Sequence, residues 1–251
     1  MINTTDIGKI FKLARREWIR IDLMAAIIGI FAGYGAIFFR LLISFFHNLF
    51  YTAEINFHSN VAYYNQSILY VFIPAFGLLI AAWLANTFAP EAKGHGVPEV
   101  MEAQTVRGGK IRGIVVVIKS LASSITIASG GSVGREGPIV QVGAAGSSYL
   151  GQLFKQRSRI LRILVGCGVA ASIAATFNTP IGGVIFAIEL ILLELSTHSF
   201  IPLVISSVFA TIISRIHLGN KPSFLTPSYT LTSPYELSFY LGLGIISGGV
   251  G

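Results

Sequence analysis

Charge is scarce in this chain: only 12% of its 251 residues are Asp, Glu, Lys or Arg, while 53% are hydrophobic. That balance excludes a soluble globular domain of this length. Cysteine is nearly absent, because Cys167 stands alone, which excludes an internal disulfide and a thiolate metal cluster. His47, His58, His95, His198 and His217 are scattered without metal-ligand spacing, and no metal or other cofactor is expected. No signal peptide is expected at the start. The first 20 residues lack its short apolar core and small-residue cleavage site, and residues 1–22 read instead as a charged, amphipathic, cytosolic helix.

What the chain does have is a series of apolar stretches, at about 23–39 (continuing past Arg40), 68–89, 113–134, 138–154, 163–188, 200–214 and 237–251. A polytopic, all-α integral membrane protein is the expected class. The net charge is +7, and most of the basic residues fall in three groups. These are Lys9, Lys12, Arg15, Arg16 and Arg20; Lys93, Arg107, Lys110 and Arg112; and Lys155, Arg157, Arg159 and Arg162. Because they flank apolar spans they mark cytosolic faces and not a nucleic-acid patch, and the N-terminus is expected in the cytosol.

A spanning helix needs roughly 20 apolar residues, and several stretches are too short or are cut by glycine and proline. The breaks fall at Gly130-Gly131, Gly134, Gly137-Pro138 and Asn178-Thr179-Pro180. Such breaks leave backbone polar groups unpaired at membrane depth unless protein, water or a bound ion satisfies them. Residues 163–188 are too long for one straight span, so a helix ending near Thr176 and a second starting near Ile181 are expected. The polar, proline-containing segment 215–236 reads as an outer linker. The segment after it stops without a polar flank, like a helix cut partway, so the chain reads as a fragment.

Two short elements carry chemistry. In Gly134-Arg135-Glu136-Gly137-Pro138 an acid lies at a helix start between apolar stretches. An ionisable group there marks an ion or proton pathway, and a helix N-terminus attracts anions, so Glu136 would stand where a free anion could bind. Gly94-His95-Gly96-Val97-Pro98-Glu99 repeats the plan, with glycines permitting close approach and proline expected at the first helical position. Ordinary helix caps near the membrane edge explain the local pattern about equally well.

The first element, continued by Val140-Gln141-Val142-Gly143, resembles the GREGP segment of the CLC chloride channel and transporter family, and residues 94–99 resemble its GSGIP segment. The run Ala174-Ala175-Thr176-Phe177-Asn178-Thr179-Pro180-Ile181-Gly182-Gly183-Val184-Ile185-Phe186-Ala187-Ile188-Glu189 resembles its AAxFNxPxxGxxFxxE signature. The resemblance implies a homodimer in which each subunit has its own anion path, built from two inverted repeats of broken helices. Residues 23–214 would be the first repeat and 237–251 the start of the second. A GxFxP segment and a pore tyrosine would belong to the missing half. Glu136 would be the gating glutamate, whose ionised carboxylate occupies an anion site and leaves it on protonation. Backbone N–H groups of Gly94, His95, Gly96 and Val97, ahead of Pro98, and of Gly134, Arg135 and Gly137, ahead of Pro138, would line the path. Chloride or a similar monovalent anion would be the transported ligand, possible protons its companion, and a plasma or inner membrane bilayer its setting.

Two departures stand out. His95 replaces a serine, exchanging a hydroxyl for an imidazole that is a plain donor when neutral and a cation when protonated. Leu190 replaces a second glutamate that many of the family's exchangers carry, which leans toward passive conduction or toward a proton route through water or other groups, so the chain reads either as a channel or as an anion/proton exchanger. Lys119 interrupts an apolar span and either supports the anion path electrostatically or snorkels to the cytosolic edge. Glu189 is expected in a structural role, paired or capped at the helix end, with electrostatic support of the anion path as its alternative. Gly143, Gly146 and Gly151 read as close helix packing.

Other classes fare worse. An intramembrane serine hydrolase built from Ser129, Ser132 and His95 lacks a strained nucleophile turn and an oxyanion arrangement, so no enzyme is expected. The glycines of 130–137 lack the Lys-Ser/Thr pair of a nucleotide loop. A fluoride exporter of the same superfamily tends to lose the proline after GREG, whereas Pro138 and Pro98 are both kept.

Overall fold

The computed structural model describes residues 4–51, 71–193, 196–220 and 233–250, with side chains from residue 17 onward. The described residues are helical throughout and hold no strand. In chain order the α-helices are α1 (Thr4–Tyr51), α2 (Ile73–Phe88), α3 (Val97–Thr105), α4 (Ile114–Ala128), α5 (Glu136–Leu153), α6 (Ser158–Phe177), α7 (Pro180–Phe186), α8 (Thr197–Leu218) and α9 (Glu236–Val250). His58 and most of the expected outer linker lie outside the described residues.

Three of these helices, over Glu17–Tyr51, Ser158–Phe177 and His198–Leu218, are long and apolar enough to cross a membrane. Apolar α2, α4 and α9 are shorter. The expected mixture of full and partial spans is therefore present.

The break expected inside 163–188 falls where its residues require. Asn178 takes the left-handed conformation (φ 59°, ψ 35°) that a short polar side chain tolerates, and its N–H still reaches the Ala174 carbonyl. Pro180 then opens α7, where its missing N–H would have had no acceptor. α7 runs on into a π turn at Ala187–Leu192.

Two expected boundaries shift. No break separates residue 22 from 23, because Ile21, Ala25 and Ile28 continue one buried stripe at helical spacing through that point. α8 also continues to Leu218, beyond the expected start of the linker at 215.

α6 lies at the centre, packed on by α1, α5, α7 and α8. Small residues set the spacing. A Cβ added to Gly143 would lie 2.5 Å from the Gly168 carbonyl oxygen, and one on Gly168 would lie 2.3 Å from that of Gly143. Backbones thus touch where α5 crosses α6. Gly151 is likewise filled by Leu161, whose Cδ1 would be 2.5 Å from an added Cβ, but Gly146 faces open space with Val116 only at 3.9 Å. Hydroxyls join α8 to its neighbours: Ser206 donates to the Cys167 carbonyl at 3.0 Å, Ser214 to Ala175 at 2.7 Å and Ser207 to Pro180 at 2.7 Å.

Candidate anion site

The two glycine-flanked helix starts meet. Gly96 caps α3 at φ 113°, a conformation that disfavours any side chain, and a Cβ there would lie 2.2 Å from the Gly137 carbonyl oxygen. In the reverse direction, a Cβ on Gly137 would lie 2.0 Å from the His95 carbonyl oxygen and 3.2 Å from His95 Nδ1. Each tip fits only because the other lacks a side chain.

The prolines sit slightly deeper than expected. Val97 opens α3 with Pro98 second, and Glu136 opens α5 with Gly137 second and Pro138 third. All remain in the first turn, where a missing N–H removes no intrahelical bond.

Beside the tips opens a cleft of about 600 Å³, walled by α2 and α4 and lined by Gly94, His95, Lys119, Gly134, Glu136, Gly137 and Pro138. Glu136 folds back over its own loop, so a Cβ on Gly134 would lie 2.7 Å from its Oε2. His95 and Glu136 are both exposed toward this space. The Arg135 side chain does not cap α5, so the N–H groups of residues 136 and 137 in its first turn have no side-chain acceptor among the described residues.

Gly96, Val97, Pro98 and Arg135 support the cleft from behind. The Gly96 N–H, expected to face an anion, donates instead to Glu99 Oε2 at 2.6 Å. Arg135 turns away from the cleft, its guanidinium 5.4 Å from the centre of the Phe177 ring. Glu189 lies exposed on the π turn, makes no ion pair among the described residues and does not line the cleft.

Lys119 faces the protein interior. It is 4% exposed, and its Nζ donates to the carbonyls of Ala92 at 2.9 Å and Gly94 at 2.6 Å. The loop before α3 is therefore held by Lys119 on one side and Glu99 on the other. Gln141 adds a third tether from α5, donating to the Glu91 carbonyl at 2.8 Å. In the short 3-10 helix Pro90–Ala92, Glu91 also pairs with Arg112 at 2.5 Å, and that guanidinium holds its carboxyl below the usual carboxylate range.

Lys119→Met is expected to leave two carbonyls without their donor and to cost about 1–3 kcal/mol. Thermal unfolding in detergent checks this, and Lys119→Arg should recover part of the loss.

Sequence reasoning missed Glu99 as a cap, although glycine followed three residues later by glutamate is a capping pattern. It also missed Ser123 and Thr126, which line the cleft with Lys119. Ser123 follows Lys119 by four residues and Thr126 follows Ser123 by three, which places all three on one helical face and could have shown them.

A sequence profile described as voltage gated chloride channel matches residues 77–251. An H(+)/Cl(-) exchange transporter, ClcA of Cronobacter sakazakii, is 31% identical over 242 residues, covering 91% of this chain and 49% of its own. The chloride channel protein CLC-e of Arabidopsis thaliana is 36% identical over 139 residues, covering 52% of this chain and 20% of its own. Among solved structures, a slow cyanobacterial Cl-/H+ antiporter shares the fold with a TM-score of 0.75 at 23% identity, over 92% of this chain and 54% of its own. A CLC-type fluoride/proton antiporter does so with a TM-score of 0.71 at 24% identity, over 92% of this chain and 55% of its own.

Broken apolar helices around a cleft with an acid at one helix tip define an integral membrane protein. The chain belongs to the voltage-gated chloride channel (CLC) family. It spans about half the length, or less, of the curated relatives it matches.

Proposed function

We propose that the protein carrying this chain moves chloride or a similar monovalent anion across a membrane, with Glu136 as its gate. One observation carries this reading: Glu136 stands at the uncapped start of α5, in a cleft where a second helix start touches it. An ionised carboxylate there satisfies the same N–H groups and partial positive charge that would hold a free anion. Protonation removes its charge and frees the place. The N–H donors that support this reading are those of residues 94, 95, 97, 134, 136 and 137, with the Gly96 N–H committed to Glu99.

Liposome chloride flux with simultaneous proton recording on the full-length protein tests this. Glu136→Gln is expected to conduct with its pH dependence lost; a variant that keeps the wild-type pH profile would remove the gate. Leu190, on the π turn, offers no titratable group and supports anion flux without protons. The exchange transporters among the relatives favour coupling instead, and a fixed anion-to-proton ratio would decide for them.

His95 adds an imidazole to the same cleft. His95→Ser is expected to alter anion selectivity or the pH response, and an unchanged profile in both would assign the ring no part in transport. Retention of Pro98 and Pro138 supports chloride over fluoride, which a flux comparison of the two ions checks.

A homodimer in a plasma or inner membrane, with its N-terminus in the cytosol, completes the proposal. Because Cys167 is fully buried, a Lys155→Cys variant should be labelled by an impermeant thiol reagent from the cytosolic side only.

A further inference from the structure

A second cleft, sharing no residue with the first, lies where α1 meets the turn between α5 and α6. It has a volume of about 340 Å³ and is lined by Glu17, Arg20, Ile21 and Met24 of α1, by residues 154–157 of the turn, and by Ile160 of α6. We infer that this cleft binds the headgroup of an anionic membrane phospholipid, one that carries a phosphate and a polyol such as glycerol.

Three cations converge here: Arg20, Lys155 and Arg157. Among the described residues the ion pairs are Arg107–Glu102 and Arg112–Glu91, so none of the three is neutralised by one. All three are exposed.

The turn that presents two of them is fixed by backbone bonds. The Lys155 N–H donates to the Gln152 carbonyl at 2.9 Å and the Gln156 N–H to Gly151 at 3.0 Å. Lys155 accepts a left-handed φ of 51° to close this turn. Arg157 is extended and opens α6, which has neither a side-chain cap nor an acidic residue in its first turn. The partial positive charge of that helix end adds to the three cations.

Free phosphate would need only the charges, but the cleft has an apolar wall as well. Ile21, Met24 and Ile160 line it, and Phe154 is 53% exposed beside it, with Leu153 next in the chain 63% exposed. These suit the glycerol backbone and the first methylenes of a lipid.

The depth also fits. The charge-free apolar run of α1 begins at Leu23, just past Arg20, and that of α6 at Ile163, just past Arg162 and the turn that carries Lys155 and Arg157, so the cleft lies where two apolar runs begin and lipid phosphate groups stand. Glu17 is the one carboxylate in the cleft. It would repel a bare phosphate but accepts hydroxyl hydrogens, which selects a polyol headgroup.

Native mass spectrometry of the full-length protein, titrated with phosphatidylglycerol or phosphatidylcholine, tests the inference. Phosphatidylglycerol is expected to be retained over phosphatidylcholine. Arg20→Gln, Lys155→Gln and Arg157→Gln together should weaken it roughly a hundredfold, at about 1 kcal/mol per cation. Lys155→Gln alone, in an exposed turn, should give a partial loss should the triple variant not fold. Arg107→Gln, Lys110→Gln and Arg112→Gln remove the same charge elsewhere and should leave binding in place; equal loss in both triple variants would overturn the site. Displacement of the lipid by millimolar inorganic phosphate would overturn the lipid as its source. Glu17→Gln should erase the preference for phosphatidylglycerol over phosphatidic acid, and an unchanged preference would overturn the polyol.

Discussion

Gly137→Val is expected to abolish anion flux through the full-length protein while leaving its helix content intact. A Cβ at 137 would lie 2.0 Å from the His95 carbonyl oxygen, well inside van der Waals contact, and valine adds two further carbons. Neither side can yield cheaply. α5 is held against α6 by the backbone contact of Gly143 with Gly168. The loop opposite is held by two bonds from Lys119 and by the Glu99 cap. The tips must therefore part, carrying the donors of residues 94 and 95 away from Glu136. Where function depends on placed groups, a shift of an ångström costs on the order of a hundredfold. Liposome flux reads the loss and circular dichroism the retained helix. Gly146→Ala, which faces open space, should conduct normally. Wild-type flux in Gly137→Val would show that the meeting of the tips is incidental to transport.

Gly168→Leu is expected to prevent stable folding. Its Cβ would lie 2.3 Å from the Gly143 carbonyl oxygen and 2.3 Å from Ser147 Oγ, at the centre of the α5–α6 crossing. Overpacking a fitted core costs about 1–3 kcal/mol and more where backbone opposes backbone. That is a large share of a typical margin of about 5–15 kcal/mol. Loss of a monodisperse peak in detergent, or a sharply lowered thermal midpoint, is the expected reading. Gly35→Ala meets nothing within 4 Å and is the control. It should be neutral or stabilise α1 by up to about 1 kcal/mol. A Gly168→Leu protein as stable as that control would mean that the crossing is looser than its contacts imply.

Much of this arrangement was legible in the residues. The α6–α7 break could be read because Asn178 and Pro180 each act on their own backbone, and local steric rules need no knowledge of the fold. The two helix starts could be read for the same reason, glycine and proline being punctuation. The continuity of α1 was hidden because a polar stretch and an apolar one look like two elements. What joins them is a buried stripe through Ile21, Ala25 and Ile28, visible only once α6 and α8 lie against it.

The inner details of the cleft depended on long-range partners. Lys119 stood between two readings in the sequence, since a long basic side chain can snorkel or turn inward. Two carbonyls brought close from 25 and 27 residues away give it an interior place. Gly96 looked like a free donor although the Glu99 carboxylate three residues on returns to it, a local capping pattern that the glycine-rich motif obscured. Gly146 looked like a packing residue because composition cannot tell a contact from a gap.

Arg135 lying over Phe177 has a mechanical meaning. Phe177 ends α6, whose span is 78% buried, against 33% and 39% for the other long spans. The residue just before Glu136 thus leans on the most buried of the three long spans among the described residues. On the proposed gating role, the swing belongs to the side-chain bonds of Glu136, over a backbone that this contact braces.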